Sequence, residues 1–337
     1  MSPQTCVLLV QLGTPDSPTV RDVRRYLFEF LNDPRVIDIP ALLRAFLVNV
    51  IIVPFRAPKS AKVYQHLWTD KGSPLLLYTE EITELLQREL GNEYKVEFAM
   101  RYQNPSMEEV LGRIKKANYK KIIVLPLFPQ YASATTGSAV EKVMKIISKW
   151  WVIPEVKFIG QFYNHPKFIE AFAERGRQYD HNSYDHVIFS YHGLPVSQVD
   201  KVYEDGKPCD DHDCETTLTE DNKHCYKATC YATTRLLAAK LGIPESRYTV
   251  SFQSRLDKKW LEPFSDDVII KKAKEGAKKL LVFSPAFVAD CLETTVEIGY
   301  EYQQLFTEHG GEKIQLVESL NAHPLWIEAM KALVLEK

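Results

Sequence analysis

The chain has 337 residues, of which 45% are hydrophobic, so it can bury a large core and, by usual domain sizes, form two domains. Its 42 lysine and arginine residues nearly balance 44 aspartate and glutamate residues, so no excess of positive charge indicates nucleic acid as a partner. Met1 to Thr5 lead directly into a strand-like stretch, which predicts no secretory leader. Six cysteines in such a chain favour a reducing, cytoplasmic compartment.

Apolar runs alternate with segments of helical periodicity along the whole chain, which is typical of parallel α/β sheets. The predicted strands are Cys6–Leu12, Tyr94–Met100, Lys121–Leu127, Val156–Ile159, His186–Ser190, Tyr248–Phe252, Lys279–Phe283 and Lys313–Val317. The predicted helices include Pro74–Leu90, Met107–Lys116, Cys225–Leu241, Glu293–Leu305 and Pro324–Glu336. We expect the last of these helices to pack back on the body of the protein.

The most apolar segment is Ile39–Phe55, which is bounded by prolines and contains Arg44 and Asn49. A membrane-spanning helix needs about 20 apolar residues, so this segment is too short and too interrupted to cross a bilayer. Two interpretations stay open. The segment is either an apolar core helix or an exposed lip that covers an apolar ligand or contacts a membrane surface.

Three short patterns occur in the same order in both halves of the chain. Leu12-Gly13-Thr14-Pro15 corresponds to His192-Gly193-Leu194-Pro195, Tyr94-x-Val96-x-Phe98-x-x-Arg101 to Tyr248-x-Val250-x-Phe252-x-x-Arg255, and Pro126-x-Phe128 to Pro285-x-Phe287. We therefore predict two similar doubly wound domains, residues 1–165 and 166–311, followed by a strand and a helix in 312–337. Strand ends from both halves would face one cleft, the usual ligand site of such folds.

A histidine stands at one of these predicted strand ends. His192 directly follows the apolar run Val187–Tyr191, and Gly193 allows the backbone to turn sharply after it. A single histidine is often structural. The strand-end position and the turn favour a functional role here, at the mouth of the cleft.

A row of acidic residues follows another predicted strand. Asp290 precedes Glu293, Glu297 and Glu301, and the three glutamates would lie along one face of an α-helix. Like charges at this spacing repel each other, so stability gives no reason for the row, although a solvated acidic face is an alternative for the last two. An imidazole opposite carboxylates can hold a divalent ion or divide proton transfer between them.

Four of the six cysteines are clustered at C-x4-C spacing in a polar insert, residues 205–230. They are Cys209, Cys214, Cys225 and Cys230. Four thiolates suit a 2Fe–2S cluster or a tetrahedral zinc ion, although structural zinc usually has closer cysteine pairs. Free thiols or disulfides are the third alternative. Cys6 and Cys291 are expected to be buried apolar residues.

Several segments together resemble ferrochelatases, the enzymes that insert ferrous iron into a porphyrin. They are Ser190–Pro195, Ser251–Arg255, Asp290–Thr294, Pro129–Ser138, Gly72–Pro74, Leu12–Pro15 and the pair Arg101-Tyr102. The matches extend from residue 6 to about residue 326. The resemblance implies an α/β, type II chelatase-like fold of two Rossmann-like domains with the active-site cleft between them.

The resemblance also implies roles for single residues. His192 and Glu293 would be the catalytic, iron-contacting pair, and Asp290, Glu297 and Glu301 would carry iron or remove protons. The residues expected near the porphyrin are Arg101, Tyr102, Tyr131, Ser133, Gln253 and Trp260. Some bacterial ferrochelatases carry an internal four-cysteine 2Fe–2S site at the corresponding position, which favours the cluster for Cys209, Cys214, Cys225 and Cys230. Candidates for binding the porphyrin propionates are Arg56, Lys59 and Lys62.

The expected activity is therefore conversion of protoporphyrin IX to protohaem or of coproporphyrin III to coprohaem. One alternative is a cobalt or nickel chelatase of another tetrapyrrole pathway. An alternative of a different class is a non-enzymatic iron–sulfur sensor or haem carrier, which would have no use for an acidic helix opposite His192. We expect a cytoplasmic protein with peripheral membrane contact through the apolar lip. The sequence gives no indication of the oligomeric state.

Overall fold

The computed structural model describes residues 3–336. The chain forms two compact units. The first comprises Met1–Phe128, Ala132–Gln161 and Ile327–Lys337, and the second comprises Pro129–Tyr131 and Phe162–Trp326.

The first unit is built on a parallel four-stranded sheet. Its strands are β1 (Thr5–Gly13), β2 (Tyr94–Tyr102), β3 (Lys121–Pro126) and β4 (Glu155–Phe158), in the order β2-β1-β3-β4. Its helices are α1 (Val20–Leu31), α2 (Ala41–Leu67), α3 (Pro74–Leu90), α4 (Met107–Ala117) and α5 (Ser138–Ile147). Thr19 caps α1 and Ser106 caps α4, each accepting a hydrogen bond from a backbone N–H of the first turn. The core contains Leu8, Val10, Ile122 and Val124 of the sheet with Val110, Ile114 and Val143 of the helices.

Helix α2 is 27 residues long and contains a π-helical stretch, Leu47–Ile52. One face packs through Val48, Val53, Ala57 and Ala61 against Val23 and Leu27 of α1. The other face carries exposed apolar side chains, namely Leu42, Leu43, Phe46, Val50, Ile51 and Phe55. By length and composition alone, α2 is the one helix in the described chain that could cross a bilayer, and only 17% of its most apolar window is buried. The core-helix interpretation of Ile39–Phe55 is therefore wrong for most of this segment.

The second unit repeats the sheet of the first. Its strands are β5 (His186–His192), β6 (Tyr248–Gln253), β7 (Lys279–Phe283) and β8 (Lys313–Leu316), in the order β6-β5-β7-β8. Every neighbouring pair is parallel in both sheets. The three repeated sequence patterns lie on or directly after corresponding strands, since β1, β2 and β3 match β5, β6 and β7. The predicted α/β fold of two similar parallel-sheet halves is confirmed.

The helices of the second unit include α6 (Pro166–Arg177), α7 (Tyr226–Leu241) and α8 (Ser265–Lys274). After β7, a π-helix (Leu292–Tyr302) continues directly as α9 (Gln303–Glu308). The predicted α-helix Glu293–Leu305 is therefore wrong in type over most of its length. The core joins Ile188, Leu280 and Val282 to Ile298 and Phe306. The last helix, α10 (Pro324–Leu335), carries the fully buried Trp326 in its first turn, where the indole stacks on Phe162.

Candidate active site and metal centre

His192 is the last residue of β5 and pairs with Gln253, the last residue of β6. The next backbone N–H, that of Gly193, donates to the Gln253 carbonyl at 2.7 Å. A Cβ at position 193 would lie 2.8 Å from that oxygen and 3.2 Å from the Trp260 ring. The backbone at Gly193 lies outside the left-handed region. The glycine is therefore needed because the two strands approach closely, and not for the sharp turn that the sequence suggested.

The orientation of the His192 ring is fixed by its own backbone. Nδ1 lies 2.6 Å from the Gly193 carbonyl oxygen, and a carbonyl only accepts, so Nδ1 carries the proton. The lone pair of the neutral ring is then on Nε2, which can accept a proton or bind a metal. The half-buried ring has two aromatic neighbours, with centroids 6.3 Å away for Trp260 and 6.4 Å for Phe287.

The three glutamates all lie on the π-helix. Glu293 stands in its first turn and is half-buried, Glu297 is half-buried in the next turn, and Glu301 is exposed. The helix begins with a capping box in which Cys291 and Thr294 bond each other's backbone N–H groups. Although Glu301 is exposed, neighbouring groups displace some of the water around its carboxyl, and this desolvation, followed by the charge of Glu297, raises the pKa of Glu301. π-Helices close i→i+5 hydrogen bonds, are rare, and occur often at functional sites.

Glu297 is held by a dense set of hydrogen bonds. Its carboxylate accepts from the Ser254 N–H at 2.8 Å, the Ser254 hydroxyl at 2.5 Å, the Gln253 amide at 3.1 Å and the Tyr302 hydroxyl at 3.0 Å. Four donors fix this carboxylate in one position. The alternative of a solvated acidic face is therefore wrong for Glu297, whereas Glu301 does lie at the surface.

The Gln253 side chain connects the histidine strand to the acidic helix. Its Oε1 accepts from the Ser190 hydroxyl at 2.7 Å, and its Nε2 donates to the Glu293 carbonyl at 2.8 Å as well as to Glu297. The residue is 1% exposed, so every polar atom of this amide is used inside the protein. The resemblance predicts Gln253 near the porphyrin. The structure gives it a buried linking position, together with Ser190 and Ser254, which sequence reasoning missed.

Asp290 lies just before the π-helix but outside this network. One carboxylate oxygen accepts from the Ser319 N–H at 3.2 Å and the other from the Asn321 amide at 2.7 Å. Its own N–H donates to the Asn321 side-chain oxygen at 2.8 Å. The carboxylate thus ties the segment after β7 to the segment after β8. Its predicted place in an acidic path stays a prediction.

Two predicted porphyrin residues, Arg101 and Tyr102, meet in a buried polar cluster of the first unit. Both side chains bond the Asp33 carboxylate, Arg101 through an ion pair and Tyr102 through its hydroxyl at 2.9 Å. Ser138 completes the cluster, donating to Asp33 at 2.5 Å and accepting from the Arg101 Nε at 2.7 Å. Burial raises the pKa of the Tyr102 phenol well above its usual range. No sequence pattern indicated Asp33, which joins three elements distant in the chain.

The remaining predicted porphyrin residues have separate surroundings. Ser133 accepts a hydrogen bond from Arg35 at 2.9 Å in the first unit. In the second unit, the Tyr131 ring lies 5.9 Å from the ring of His224. Trp260 stands beside His192 and pairs with Pro195 through its backbone. Of the six predicted residues, Trp260 is the one with a ring contact to the catalytic candidate.

Three of the four predicted cluster ligands converge in the insert of the second unit. The Cys209 sulfur lies 3.4 Å from the sulfurs of Cys214 and Cys225, and these two are 3.6 Å apart. All three are buried and could together hold a metal ion. Cys230, the fourth predicted ligand, does not join them, because it lies inside α7 with its thiol hydrogen-bonded to Tyr226. The Tyr203 hydroxyl lies 2.8 Å from the Cys214 sulfur instead.

Comparison with known proteins identifies the family of the chain. The ferrochelatase family model matches residues 4–337. A ferrochelatase of Legionella pneumophila is 43% identical over 98% of each chain, and one of Coxiella burnetii is 43% identical over 96% of this chain and 91% of that one.

Among solved structures, the cobalt complex of the sirohydrochlorin chelatase SirB from Bacillus subtilis subspecies spizizenii has the same fold. Its TM-score is 0.55 at 12% identity, and the match covers 98% of this chain and 94% of that one. The likeness to SirB concerns the fold alone. On the match over nearly the whole length, the chain belongs to the ferrochelatase family.

Proposed function

We propose that this chain inserts ferrous iron into a porphyrin, the reaction for which its family is named, with His192 and Glu293 at the reacting centre. The observation that carries the proposal is the Gln253 amide, which links the end of the His192 strand to the helix of Glu293 and Glu297. Through this link, the strand that ends in His192 is hydrogen-bonded to the backbone of Glu293 and to the carboxylate of Glu297, next to the carboxyl ends of β5 and β6. Ligands of open α/β sheets bind at such strand ends.

Insertion removes two protons from the pyrrole nitrogens for each Fe²⁺ that enters, so the site needs a proton acceptor. His192 supplies it, because Nδ1 donates to the Gly193 carbonyl and Nε2 holds the lone pair. A neutral imidazole is the side chain that enzymes use most often as a general base. His192 takes the protons one at a time, and its partly exposed ring releases the first to water before it accepts the second.

Iron must lose its water before it enters the ring, and the glutamates supply replacement ligands. Carboxylate oxygens bind divalent iron, yet weakly enough to release it to the four ring nitrogens. Glu297 is held rigidly by four donors, while Glu301 lies at the surface, where the ion would first arrive. The flat macrocycle has to bend, and binding energy from the apolar surroundings stabilises that strained form.

The decisive experiment measures insertion by His192→Ala and Glu293→Gln under anaerobic conditions. Iron(II) is supplied with protoporphyrin IX or with coproporphyrin III, and the shift of Soret absorbance reports the product. We expect His192→Ala to lower the rate about 10²–10⁴-fold, the range for loss of a general base. His66→Ala, an exposed histidine of the first unit, is the control and should keep the full rate. Wild-type rates in both His192 and Glu293 variants would sink the proposal.

The same assay decides the substrate. The faster of the two porphyrins identifies the substrate as protoporphyrin IX or coproporphyrin III, both of which the family assignment permits. Replacing iron(II) by cobalt(II) or nickel(II) measures the metal preference directly. A chain that prefers cobalt or nickel would require the alternative chelatase assignment, with the same two catalytic residues.

The cysteine insert takes no part in these steps, because insertion involves no net change of oxidation state. The family resemblance favours a 2Fe–2S cluster there. A cluster of that kind needs four protein ligands, two on each iron, and the insert brings together only Cys209, Cys214 and Cys225 among its thiols. The described donor set therefore does not fit a four-cysteine cluster.

We also propose that the protein works in the cytoplasm and contacts membranes peripherally through the exposed face of α2. Leu42 is 88% exposed, Phe55 is 73% exposed and Phe46 is 57% exposed, while the opposite face of the helix packs on α1. Such a helix lies at an interface with its apolar side chains in the headgroup region. The test is sedimentation with lipid vesicles, in which Leu42→Glu with Phe55→Glu should abolish binding. Unchanged binding would refute the membrane contact.

A further inference from the structure

We propose that Cys209, Cys214, Cys225 and the phenolic oxygen of Tyr203 bind a single zinc ion, in place of an iron–sulfur cluster. The inference concerns the insert of the second unit and does not depend on the insertion chemistry. It rests on the distances between the donor atoms, on the surroundings of Tyr203 and on the position of Cys230.

The sulfur–sulfur distances fit one metal ion. With Zn–S bonds of about 2.3 Å, the thiolates of a tetrahedral site lie roughly 3.8 Å apart. The three sulfur pairs of the insert are 3.4, 3.4 and 3.6 Å apart, so the sulfurs form one face of a slightly contracted tetrahedron. In a 2Fe–2S cluster only two thiolates share an iron, and the two-iron core separates them from the other pair. Three mutually close sulfurs therefore indicate a mononuclear site.

The Tyr203 hydroxyl is an oxygen donor beside these sulfurs. It lies 2.8 Å from the Cys214 sulfur and 4.0 Å from the Cys209 sulfur, and Tyr203 is 8% exposed. Its ring is stacked on the imidazole of His212, with 3.7 Å between centroids and an interplanar angle of 3°. The His212 Nε2 lies 3.4 Å from the Asp205 carboxylate. The stacking therefore holds the phenol with its oxygen among the sulfurs.

Cys230 is excluded by the helix that carries it. Cys225 is the N-terminal cap residue of α7, so its side chain points away from the helix towards Cys209 and Cys214. Cys230 lies more than one turn further on, where its fully buried thiol bonds Tyr226. Cys209 with Cys214 and Cys225 with Cys230 share the same C-x4-C spacing. Because the second pair crosses a helix start, only its first member reaches the site.

A metal at this site would explain how the insert keeps its shape. Residues 205–224 form only one short helical turn, and most of their side chains are exposed. Lys227 anchors the segment from α7 through ion pairs with Asp210 at 2.9 Å and Glu215 at 2.8 Å. Zinc binding supplies folding free energy to such segments, since the unfolded chain has no preformed site. The role we assign to the ion is therefore structural.

The test uses the full chain, freed of metal under reducing anaerobic conditions and titrated with zinc against a competing chelator. We expect one zinc per chain. Cys230→Ala should keep the wild-type affinity within about threefold. Tyr203→Phe should weaken the zinc affinity at least about 100-fold, which is more than the loss of a residue that only hydrogen-bonds a metal ligand. Cys225→Ala should abolish tight binding. In the cobalt(II) form, thiolate-to-metal charge-transfer bands should appear in the wild type and in Cys230→Ala alike.

Two results would overturn the assignment. Chain isolated anaerobically with two irons and two acid-labile sulfides, both lost in Cys230→Ala, would establish the four-cysteine cluster. Equal zinc affinity of Tyr203→Phe and wild type would remove Tyr203 as a ligand. If Cys225→Ala does not fold, the metal and sulfide content of the wild type and the Tyr203/Cys230 comparison still decide the question. Circular dichroism of each variant checks that the fold is kept.

Discussion

The two units have the same sheet order but different chemistry at corresponding strand ends. β1 and β5 occupy the same position, and Leu12 near the end of β1 corresponds to His192 at the end of β5. The strands beside them also end alike, because Gln103 after β2 and Ser254 after β6 both have left-handed backbones, with φ of 65° and 62°. Both units therefore have the same backbone arrangement at these strand ends. Their side chains differ, and only those of the second unit form the candidate catalytic site.

The polar clusters of the two units differ in charge balance. In the first unit, Asp33 is neutralised by the ion pair with Arg101. In the second, the donors to Glu297 that the structure describes are all neutral: Gln253, Ser254 and Tyr302. Glu297 therefore keeps an uncompensated negative charge, which can attract a metal ion, whereas the Asp33 cluster has a structural charge pair. The carboxylate row of the second unit is therefore suited to binding a metal ion, and the Asp33 cluster of the first unit is not.

The largest loss of stability that we predict comes from breaking the charge pair of the first unit. Asp33→Ala leaves the Arg101 guanidinium, whose side chain is 16% exposed, without its counter-ion. Losing one partner of a buried ion pair costs about 3–5 kcal/mol of unfolding free energy. Glu297→Ala removes hydrogen bonds to a charged group, worth roughly 1.5–3 kcal/mol, and no cation is left unpaired. Urea unfolding followed by circular dichroism measures both changes.

Iron-insertion activity should show the opposite order at the same two positions. Glu297→Ala should lower iron insertion strongly, while Asp33→Asn, which keeps a hydrogen-bonding side chain, should retain most activity at reduced stability. Glu97→Ala, at a partly exposed glutamate of β2, is the matched control, with little change in either property. The contrast between the units is wrong if Asp33 and Glu297 variants lose stability equally and activity equally.

The sequence was sufficient for the fold but only partly for the site. Strands were recognised by their apolar runs, and the repeated patterns located β1–β3 and β5–β7 as copies. A four-residue spacing of glutamates looks the same for an α-helix and for the wider turn of a π-helix, so the helix type was missed. The contacts of Gln253 with Glu293 and Glu297 join residues about 40 positions apart. They come together because β6 and β7 are both parallel neighbours of β5, so the carboxyl end of β6 lies near the segment that follows β7.

Two other questions could be answered only from the structure. For Ile39–Phe55 the sequence left a core helix and an exposed lip open, and in the structure one apolar face of α2 packs on α1 while the other is exposed. The sequence grouped four cysteines, but three of them converge in the described insert, because residue spacing along a helix differs from spacing along a loop. Asp33 gave no signal at all, because its cluster depends on Arg101, Tyr102 and Ser138, which are more than 60 residues away.

The second prediction compares the glycines that follow the corresponding strand positions. Gly13 has φ of 121°, and a Cβ there would lie 2.1 Å from the Tyr102 carbonyl oxygen. Gly13→Ala therefore combines backbone strain with a steric overlap and should cost about 3 kcal/mol of unfolding free energy. Gly193→Ala meets the Gln253 oxygen at 2.8 Å without left-handed strain, so we expect about half that loss.

The rate of iron insertion should show the opposite order for these two glycine variants. The Gly193 carbonyl holds the His192 ring, so a shift of this backbone should lower the insertion rate more than Gly13→Ala does. Melting temperature and insertion rate are measured on the same preparations. Gly276→Ala tests the cost of a positive φ alone, since a Cβ there would meet no atom within 4 Å. A larger stability loss at Gly193 than at Gly13 would contradict the geometric argument.

The smallest effect that we predict is a dependence of stability on pH that arises in the second unit and not in the first. His186 in β5 pairs with Leu280 as Cys6 in β1 pairs with Ile122, so the two residues correspond. Burial, with the nearby charges of Lys272 and Arg247, lowers the pKa of His186 to about 4. Burial raises the pKa of Cys6 to about 12, so this thiol stays neutral from acidic to neutral pH.

The sign of the pH effect follows from His186 alone. Below pH 6.5 the unfolded chain takes up a proton that the folded second unit refuses until about pH 4, so stability is lost as the pH falls through this window. The loss should be about 1 kcal/mol at pH 5.5, or about 3 °C in melting temperature. In His186→Gln, whose side chain can still hydrogen-bond Thr249, the melting temperature should change less between pH 7.5 and pH 5 than it does in the wild type. His66→Gln should show the same pH dependence as the wild type. If the melting temperatures of His186→Gln and the wild type fall equally with pH, protonation of His186 does not cause the loss of stability. The two units would then not differ in their response to acid.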